Sequence, residues 1–133
     1  MPKNIILAII GALVFLLSAC GGGINAEKLR GKWKYIKVFK PNANPPDTVS
    51  SIELDENKPY IEFSGDDKLK IIWGGEVLSH GTYKIEASNL RYREEFDNGQ
   101  SRQFPFYVSE LTDKKIIFET VGADGSRVEA VKE

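Results

Sequence analysis

The sequence predicts an all-β fold, an eight-stranded antiparallel up-and-down barrel that follows an N-terminal signal segment. Three observations favour this fold class. Apolar side chains recur at every second position through most of the chain, short segments rich in glycine, asparagine and aspartate separate the apolar runs, and no segment carries a sustained apolar stripe with a period of 3.6 residues. Because short turns join consecutive strands, we expect an antiparallel meander.

The first 20 residues have the three parts of a bacterial export signal. Lys3 supplies the positive charge, residues 5–17 form an unbroken run of apolar residues and glycine, and small residues precede Cys20. A helix over that apolar run extends only about 20 Å, which is shorter than the roughly 30 Å hydrocarbon core of a bilayer. The segment therefore indicates a leader rather than a permanent membrane span.

The tetrapeptide Leu17-Ser18-Ala19-Cys20 closely resembles the lipobox of bacterial lipoproteins. The resemblance implies a diacylglyceryl group on the Cys20 thiol, cleavage before Cys20, and an added acyl chain such as palmitate. An ordinary cleaved secretory signal and an uncleaved anchor are the alternatives. We expect residues 1–19 to be a lipoprotein signal peptide, residues 20–27 a lipidated tether and residues 28–133 the folded domain. Two or more acyl chains would hold that domain stably on a membrane.

Composition indicates one globular domain. The chain has 133 residues, of which 28% are charged and 41% hydrophobic, with a formal net charge of −1. The charged and hydrophobic fractions exclude a disordered tail. The near-zero net charge gives no sign of the excess positive charge that nucleic-acid binding requires. Cys20 is the only cysteine, so the folded domain is expected to have no disulfide, no cysteine metal site and no catalytic thiol.

The elements follow from local chemistry along the chain. Asn25 can cap a single helical turn that runs toward Leu29, and Gly31 opens the first strand. The predicted strands comprise residues 31–39, 58–64, 68–73, 76–86, 90–96, 101–111, 114–121 and 127–132. The predicted turns lie at Gly65-Asp66, Gly74-Gly75, Ser88-Asn89, Asp97-Asn98-Gly99, Thr112-Asp113 and residues 122–125.

Alternation also assigns one face of the strands to the interior. In the second strand, for example, Ile61 and Phe63 flank an outward Glu62. The aromatic residues assigned inward are Trp33, Tyr35, Phe63, Trp73, Tyr83, Tyr92, Phe104, Phe106 and Phe118. A closed barrel would bury this face and remove exposed edges, and a two-sheet sandwich would bury the same face.

A family resemblance appears at the first strand. Gly31-Lys32-Trp33, just after a short helical turn, resembles the Gly-X-Trp signature of the lipocalins and of small bacterial lipocalin-like domains of the Bacteroidota type. The later segments Tyr60-Ile61-Glu62-Phe63 and Gly81-Thr82-Tyr83-Lys84-Ile85, and the closing hairpin around Gly125, also fit. The resemblance covers roughly residues 28–132 in the order of its elements. Typical lipocalins are longer, often carry a disulfide and end with a helix outside the barrel, so it does not transfer any particular ligand.

The resemblance implies a role for Trp33. In lipocalins this tryptophan packs across the closed end of the barrel beneath a basic residue, which here would be Arg127 or Lys132, through an attraction of about 0.5 to 2 kcal/mol. A core position without any chemistry is the simplest role for Trp33.

Residues 40–57 form the one long connection, and in lipocalins the corresponding loop folds over the open mouth of the barrel. This segment could be such a lid, a mobile surface loop, or a loop that holds an extra short strand at residues 52–54. An eight-stranded barrel either fills itself with side chains or admits one small molecule. If a pocket exists, we expect it under this loop, lined by Tyr35, Trp73, Tyr83 and Phe106.

The sequence does not favour catalysis. His80 is the only histidine and is expected to point outward into solvent, as are acidic residues such as Glu62, Glu86 and Glu119. No nucleophile with a base, no phosphate-binding glycine loop and no metal-ligand cluster is apparent, so we expect neither an enzyme nor a bound metal or cofactor.

Two functions remain open. The barrel could bind a small apolar molecule, such as a lipid-like compound of the envelope, in a cavity of about 300 Å³ or more. Alternatively, a filled barrel could bind an envelope protein as an inhibitor or accessory through exposed Tyr60, Tyr107, Arg91 and Arg93. Residues 21–26 lack the acidic residues that mark surface export in Bacteroidota lipoproteins, and Gly21 is not the aspartate that retains enteric lipoproteins at the inner membrane. We therefore expect the periplasmic face of the outer membrane.

Overall fold

The computed structural model describes residues 23–122 and 125–133. The predicted leader, Cys20 and the start of the tether lie outside these residues. In chain order the elements are α1 (Ala26–Leu29), β1 (Gly31–Lys40), β2 (Asp47–Thr48), α2 (Ser51–Asn57), β3 (Tyr60–Phe63), β4 (Lys68–Trp73), β5 (Glu76–Glu86), β6 (Asn89–Glu95), β7 (Ser101–Leu111), β8 (Lys115–Glu119) and β9 (Arg127–Lys132). Within this part of the chain, no helix is long and apolar enough to cross a membrane.

The eight long strands form a closed antiparallel barrel. Each pairs with the next in the order β1, β3, β4, β5, β6, β7, β8 and β9, and pairing of β9 with β1 closes the ring. Strand β1 reaches both neighbours because Gly31–Lys34 pairs with β3 while residues 33–39 pair with β9. The predicted meander barrel is therefore confirmed, and the sandwich is excluded. The two-residue strand β2 only extends the edge of β1.

The predicted inward face is the core. Of the nine aromatic residues assigned to it, all are buried except Trp73 and Phe104, which are half-buried and pack against the core. Ile61 and Phe63 are buried, whereas Glu62 between them reaches the outside and pairs with Lys70 at 3.2 Å. The period of two thus gives the correct face for these residues, although irregular pairing interrupts the alternation in β1, between β4 and β5, and in β7.

Helix α1 forms as predicted. The Asn25 Oδ1 accepts hydrogen bonds from the backbone N–H of Glu27 at 2.8 Å and of Lys28 at 3.4 Å, so the cap satisfies two free donors of the first turn. Leu29 is fully buried at the end of this turn. Upstream, Ile24 packs against the core and donates its backbone N–H to Ala87 O at 2.9 Å, so contact with the barrel begins before residue 28.

Several boundaries differ by one or two residues from the prediction. The turn after β5 lies at Ala87-Ser88, with Ala87 at a φ of 55°, and Asn89 already pairs with Glu86. Strand β3 begins at Tyr60 because Lys58, at a φ of 44°, is the left-handed cap of α2. A proline at position 59 then prevents the helix from continuing.

The extra short strand considered as one alternative for residues 52–54 does not form, because these residues lie in α2. Ser50 Oγ accepts a hydrogen bond from Glu53 N at 3.2 Å and caps the helix. Leu54 is the one buried residue of α2, and Val49 just before it is also part of the core. The long connection is therefore held to the barrel by these two apolar side chains and by the short pairing of β2 with β1.

Candidate functional site

The strand directions define two ends of the barrel. The end that carries α1 and the turns after β3, β5 and β7 is here called the closed end. The end that carries α2 and the turns after β4, β6 and β8 is called the mouth. The two ends differ in how completely side chains fill them, and this difference locates the candidate site.

The closed end is filled around Trp33. Its ring is 0% exposed and its Nε1 donates to Leu29 O at 2.8 Å, so α1 both covers the ring and satisfies its only polar atom. Lys132 Nζ lies 4.9 Å from the ring centroid and also donates to Lys28 O at 3.1 Å. Of the two basic residues considered from the sequence, the cation is Lys132, because Arg127 lies at the mouth and faces Glu119.

At the mouth, the side chains leave a cavity of about 420 Å³, here called the mouth cavity. Aromatic and aliphatic side chains form most of its wall, and Lys40 of β1 and Glu53 of α2 also line it. The lining residues are Tyr35, Val38, Lys40, Glu53, Ile71, Trp73, Leu78, Phe106, Phe118, Thr120, Ser126 and Val128. The long connection therefore borders the cavity through α2, on the side where the sequence placed a pocket.

A second, more open depression of about 710 Å³ adjoins the mouth cavity. The two share Ile71, Leu78, Phe106 and Thr120 as lining residues. The second depression adds a polar wall, here defined as Ser79, Tyr92, Glu94 and Arg102. The mouth thus has an apolar side and a polar side that a single elongated molecule could contact together.

Three of the four predicted ligand-binding residues meet at the mouth cavity, namely Tyr35, Trp73 and Phe106. Tyr83 does not line the cavity, so that part of the prediction is wrong. Its ring packs edge-on against Phe63 at 5.4 Å between centroids, and its backbone N–H donates to Asp67 O in a closed-end turn. Alternation specifies on which face a side chain lies, whereas the height along the barrel depends on strand register.

Aromatic rings pack against one another on the apolar side of the mouth. Tyr35 contacts Trp73 and Phe118 edge-on, with ring centroids 6.5 Å and 6.2 Å apart, and Phe106 stacks on Phe118 at 5.2 Å. Burial, reinforced by the neighbouring Tyr92, raises the pKa of Tyr35 well above its ordinary value. The Tyr35 hydroxyl is therefore a neutral group at the cavity wall.

The polar wall is a connected hydrogen-bond network. Arg102 Nε donates to Glu94 Oε1 at 2.6 Å, and Ser79 Oγ donates to Glu94 Oε2 at 2.5 Å. The Tyr92 hydroxyl lies 2.7 Å from Ser79 Oγ. Glu94 is only 8% exposed, and it is the one buried charged residue in the part of the chain that the structure describes. Such burial is tolerated because both carboxylate oxygens are hydrogen-bonded, one of them by a cation.

Burial raises the pKa of Tyr92 to about 12, while the hydrogen bond with Ser79 acts in the opposite direction. Glu94 and Glu95 add to the increase through charge repulsion, and Arg102 opposes it. Tyr92 therefore stays protonated below that pH and can act as a hydrogen-bond donor within the polar wall.

Reasoning from the sequence missed Glu94. Acidic residues were expected on the outer surface, and Glu62, Glu86 and Glu119 do lie on that side. Glu94, however, follows Tyr92 by two positions and lies on the same inward face of β6. The alternation in the sequence was sufficient to find it. A charged residue on the same strand face as buried aromatic residues is a candidate for an ion pair.

The residues considered for a protein contact do not form one surface. Arg91, Arg93 and Tyr107 lie together on the outside of β6 and β7, with Tyr107 42% exposed. Tyr60 lies on β3 at the opposite side of the ring, and it is half-buried beneath the Lys32 ammonium at 4.0 Å. The expectation that Tyr60 is exposed is therefore wrong.

Exposed apolar side chains concentrate at the mouth. The large apolar residues of the mouth that are more than 40% exposed are Ile52, Val77, Leu78, Phe96 and Val121. Leu78 points toward the cavity because β5 shifts register between its pairings with Ile71 and Ile72. His80, as predicted, is exposed on the outer surface.

Among the described residues, no group of three or more histidine, cysteine, aspartate or glutamate side chains could hold a metal ion. Comparison of the sequence with models of known protein families and with curated proteins gives no match.

Proposed function

We propose that this chain is a lipid-anchored, lipocalin-like barrel of the bacterial envelope that binds a small hydrophobic ligand at its mouth. The observation that carries the proposal is the mouth cavity of about 420 Å³, which lies within the size range of small-molecule pockets and is walled by Tyr35, Trp73, Phe106 and Phe118. Ligand transfer out of water would be driven by contact with these rings, and no covalent chemistry is required.

Family membership is part of the same proposal. A closed eight-stranded ring, a Gly-X-Trp sequence at the start of β1, and a buried Trp33 beneath Lys132 all support a lipocalin-like protein. Each of these features concerns the fold. The proposal that the barrel binds a ligand is therefore supported by the mouth cavity alone.

The position of the first described residues supports a particular orientation. The backbone N–H of Ile24 is hydrogen-bonded to Ala87 O at the closed end. Cys20 precedes Ile24 by four residues, which span at most about 14 Å. If Cys20 carries the lipid, the closed end faces the anchoring leaflet and the mouth opens away from it. We place the protein on the periplasmic face of the outer membrane, where the mouth would meet envelope compounds in the aqueous space.

Binding is tested with N-phenyl-1-naphthylamine, a neutral apolar fluorophore, added to the full-length protein in micelles of the zwitterionic detergent CHAPS, with protein-free micelles subtracted. We expect saturable binding, because the mouth cavity offers an apolar wall. Trp73→Ala should weaken the binding because it removes part of that wall, and the matched His80→Ala on the outer surface should retain it. Absence of saturable binding, or an equal loss in both variants, would contradict the proposal.

The anchor is tested separately by metabolic labelling with palmitate. The wild-type protein should incorporate label and sediment with membranes, whereas Cys20→Ala should do neither. Membrane association of an unlabelled wild-type protein would contradict lipidation and leave the ligand proposal intact.

A second candidate function is binding of an envelope protein through the outer face of β6 and β7. It is supported by the exposed Tyr107 beside Arg91, at a shallow depression of about 290 Å³. Native mass spectrometry of gently extracted protein separates the two candidates. A recurrent small molecule, unaffected by Tyr107→Ala, supports ligand binding, and a protein partner that Tyr107→Ala releases from an empty barrel supports the second candidate.

A further inference from the structure

The mouth has a defined charge pattern as well as an apolar wall. The charged residues that line its two parts are two acids and two bases, namely Glu53, Glu94, Lys40 and Arg102. Glu94 and Arg102 already neutralise each other through a 2.6 Å contact. A ligand therefore meets no net charge at the mouth, although it meets strongly polar atoms.

The donors and acceptors of the polar wall can be counted. An ionised carboxylate only accepts, so the Ser79 hydroxyl donates its hydrogen bond to Glu94, and the Tyr92 hydroxyl must then donate to Ser79. Glu94 has accepted two hydrogen bonds and has about four lone-pair sites. Arg102 uses Nε, and among the described residues its other N–H groups have no protein partner. The wall thus keeps both an acceptor and a donor for a ligand.

Arg102 lies at the solvent-exposed edge of the polar wall, with 64% of its side chain accessible. Its guanidinium lies 5.1 Å from the Phe104 ring centroid and 5.7 Å from that of Phe96, so aromatic rings hold the cation beside Glu94. The rings of Tyr35, Trp73 and Phe118 lie on the opposite side of the shared boundary at Phe106.

From this arrangement we infer that the ligand is a neutral amphiphile, with a hydrocarbon body against the aromatic wall and a hydroxyl- or amide-type head at Glu94 and Arg102. The inference rests on the proposed function. A head that donates and accepts satisfies both residues without breaking their ion pair. A carboxylate would be attracted by Arg102 and repelled by the buried Glu94, and an ammonium would meet the reverse, so either would leave one charge poorly compensated.

The test uses three amphiphiles with the same twelve-carbon chain: 1-monolauroylglycerol, laurate and dodecyltrimethylammonium. Full-length protein in micelles of the zwitterionic steroid detergent CHAPS, which lacks an alkyl chain, is equilibrated with an equimolar mixture, and the protein-bound fraction of each is measured by native mass spectrometry. Comparing the ratios between wild type and variants cancels the unequal partition of the amphiphiles into micelles. The expected wild-type result is retention of the glyceride in at least about tenfold excess over both charged compounds, which corresponds to about 1.4 kcal/mol.

Two variants should shift the preference in opposite directions. Glu94→Gln leaves Arg102 uncompensated and should shift the ratio about tenfold toward laurate, whereas Arg102→Gln leaves Glu94 and should shift it toward the ammonium compound. Glu86→Gln, which breaks the outer-surface pair with Arg91 at 3.0 Å, is the matched control and should leave the ratios unchanged.

A wild-type preference for laurate or for the ammonium compound would overturn the inference while the proposed hydrophobic ligand stands. Unchanged ratios in both variants would also overturn it. If none of the three amphiphiles is retained and the naphthylamine probe does not bind, the proposed function itself fails. The wild-type measurement decides the question even if a variant does not fold.

Discussion

The two ends of the barrel carry one tryptophan each, and the two rings differ in how completely they are buried. Trp33 at the closed end is covered by α1, hydrogen-bonded to Leu29 and capped by the Lys132 ammonium. Trp73 at the mouth is half-buried, contacts Tyr35 edge-on and borders a cavity of about 420 Å³. Both residues lie on the inward face of their strands. The difference shows that, among side chains that already face inward, the degree of burial depends on what covers each end of the barrel.

The covering elements explain the contrast in packing. Helix α1 places a fully buried Leu29 over the interior and supplies backbone acceptors to Trp33 and Lys132. Helix α2 attaches to the barrel through Leu54 and leaves Ile52 68% exposed. One end is therefore used for stability, and the other retains apolar surface that a ligand can cover.

The largest expected effect is the cost of removing each tryptophan ring. Trp33→Ala should lower the free energy of unfolding by about 3 to 5 kcal/mol, because a fully enclosed ring leaves a cavity. Trp73→Ala should cost about 2 kcal/mol or less, since its ring is already in part exposed to water. Urea titration followed by circular dichroism measures both values. Equal losses would show that the two ends are packed alike.

The cation at the closed end should give the next largest effect. Lys132→Gln removes the ammonium above Trp33 and its hydrogen bond to Lys28 O, and should cost about 0.5 to 2 kcal/mol. Arg127→Gln on the same strand, at the mouth, removes only an exposed pair with Glu119 at 3.8 Å and should stay within about 0.5 kcal/mol. An equal loss of stability in the Arg127 and Lys132 variants would show that the cation above Trp33 does not stabilise the closed end.

Alkaline pH should destabilise the barrel through the tyrosines. Burial raises the pKa of Tyr92 from its ordinary value of 10.0 to about 12, so the unfolded chain ionises first. The stabilisation is complete below pH 10 and is lost as the pH rises toward 12. Tyr92→Phe should reduce this loss without abolishing it, because burial also raises the pKa of Tyr35 and Tyr83. The free energy of unfolding is measured by urea titration at several pH values. If it falls equally between pH 10 and 12 in wild type and in Tyr92→Phe, Tyr92 is not a source of the alkaline destabilisation.

The smallest effect is expected on the outer surface between the two ends. His80 is exposed, so His80→Ala should change the free energy of unfolding by no more than about 0.5 kcal/mol. A larger loss in the same titration would mean that this face of β5 is covered in solution, and the assignment of inward and outward faces would need revision.

The eight strands and their common inward face could be predicted because both depend on local chemistry. The turn at Gly74-Gly75, where both glycines have positive φ, is one example, since glycine adopts that conformation at little cost. The height of a side chain along the barrel was not predictable in the same way. Tyr83 and Tyr35 have equivalent patterns, yet strand register places Tyr83 beside Phe63 and Tyr35 beside Trp73.

Two local signals were present and pointed to features that were missed. Ser50 and Glu53 have the spacing of a helix-capping pair, and Ser50 does cap α2, but a seven-residue helix with one buried side chain has no apolar stripe to reveal it. Glu94 lay in phase with Tyr92, but its partners Ser79 and Arg102 come from two other strands.

The sequence by itself determined the β-meander, the face of each side chain and the helical turn at Asn25, because these depend on the period of two, on turn residues and on capping. Only the tertiary structure decided that β9 closes the ring on β1, that Lys132 rather than Arg127 covers Trp33, and that a buried Glu94 paired with an exposed Arg102 lines a partly empty mouth. These features depend on contacts between residues far apart in the chain, and such contacts are set by register and by the packing of whole elements.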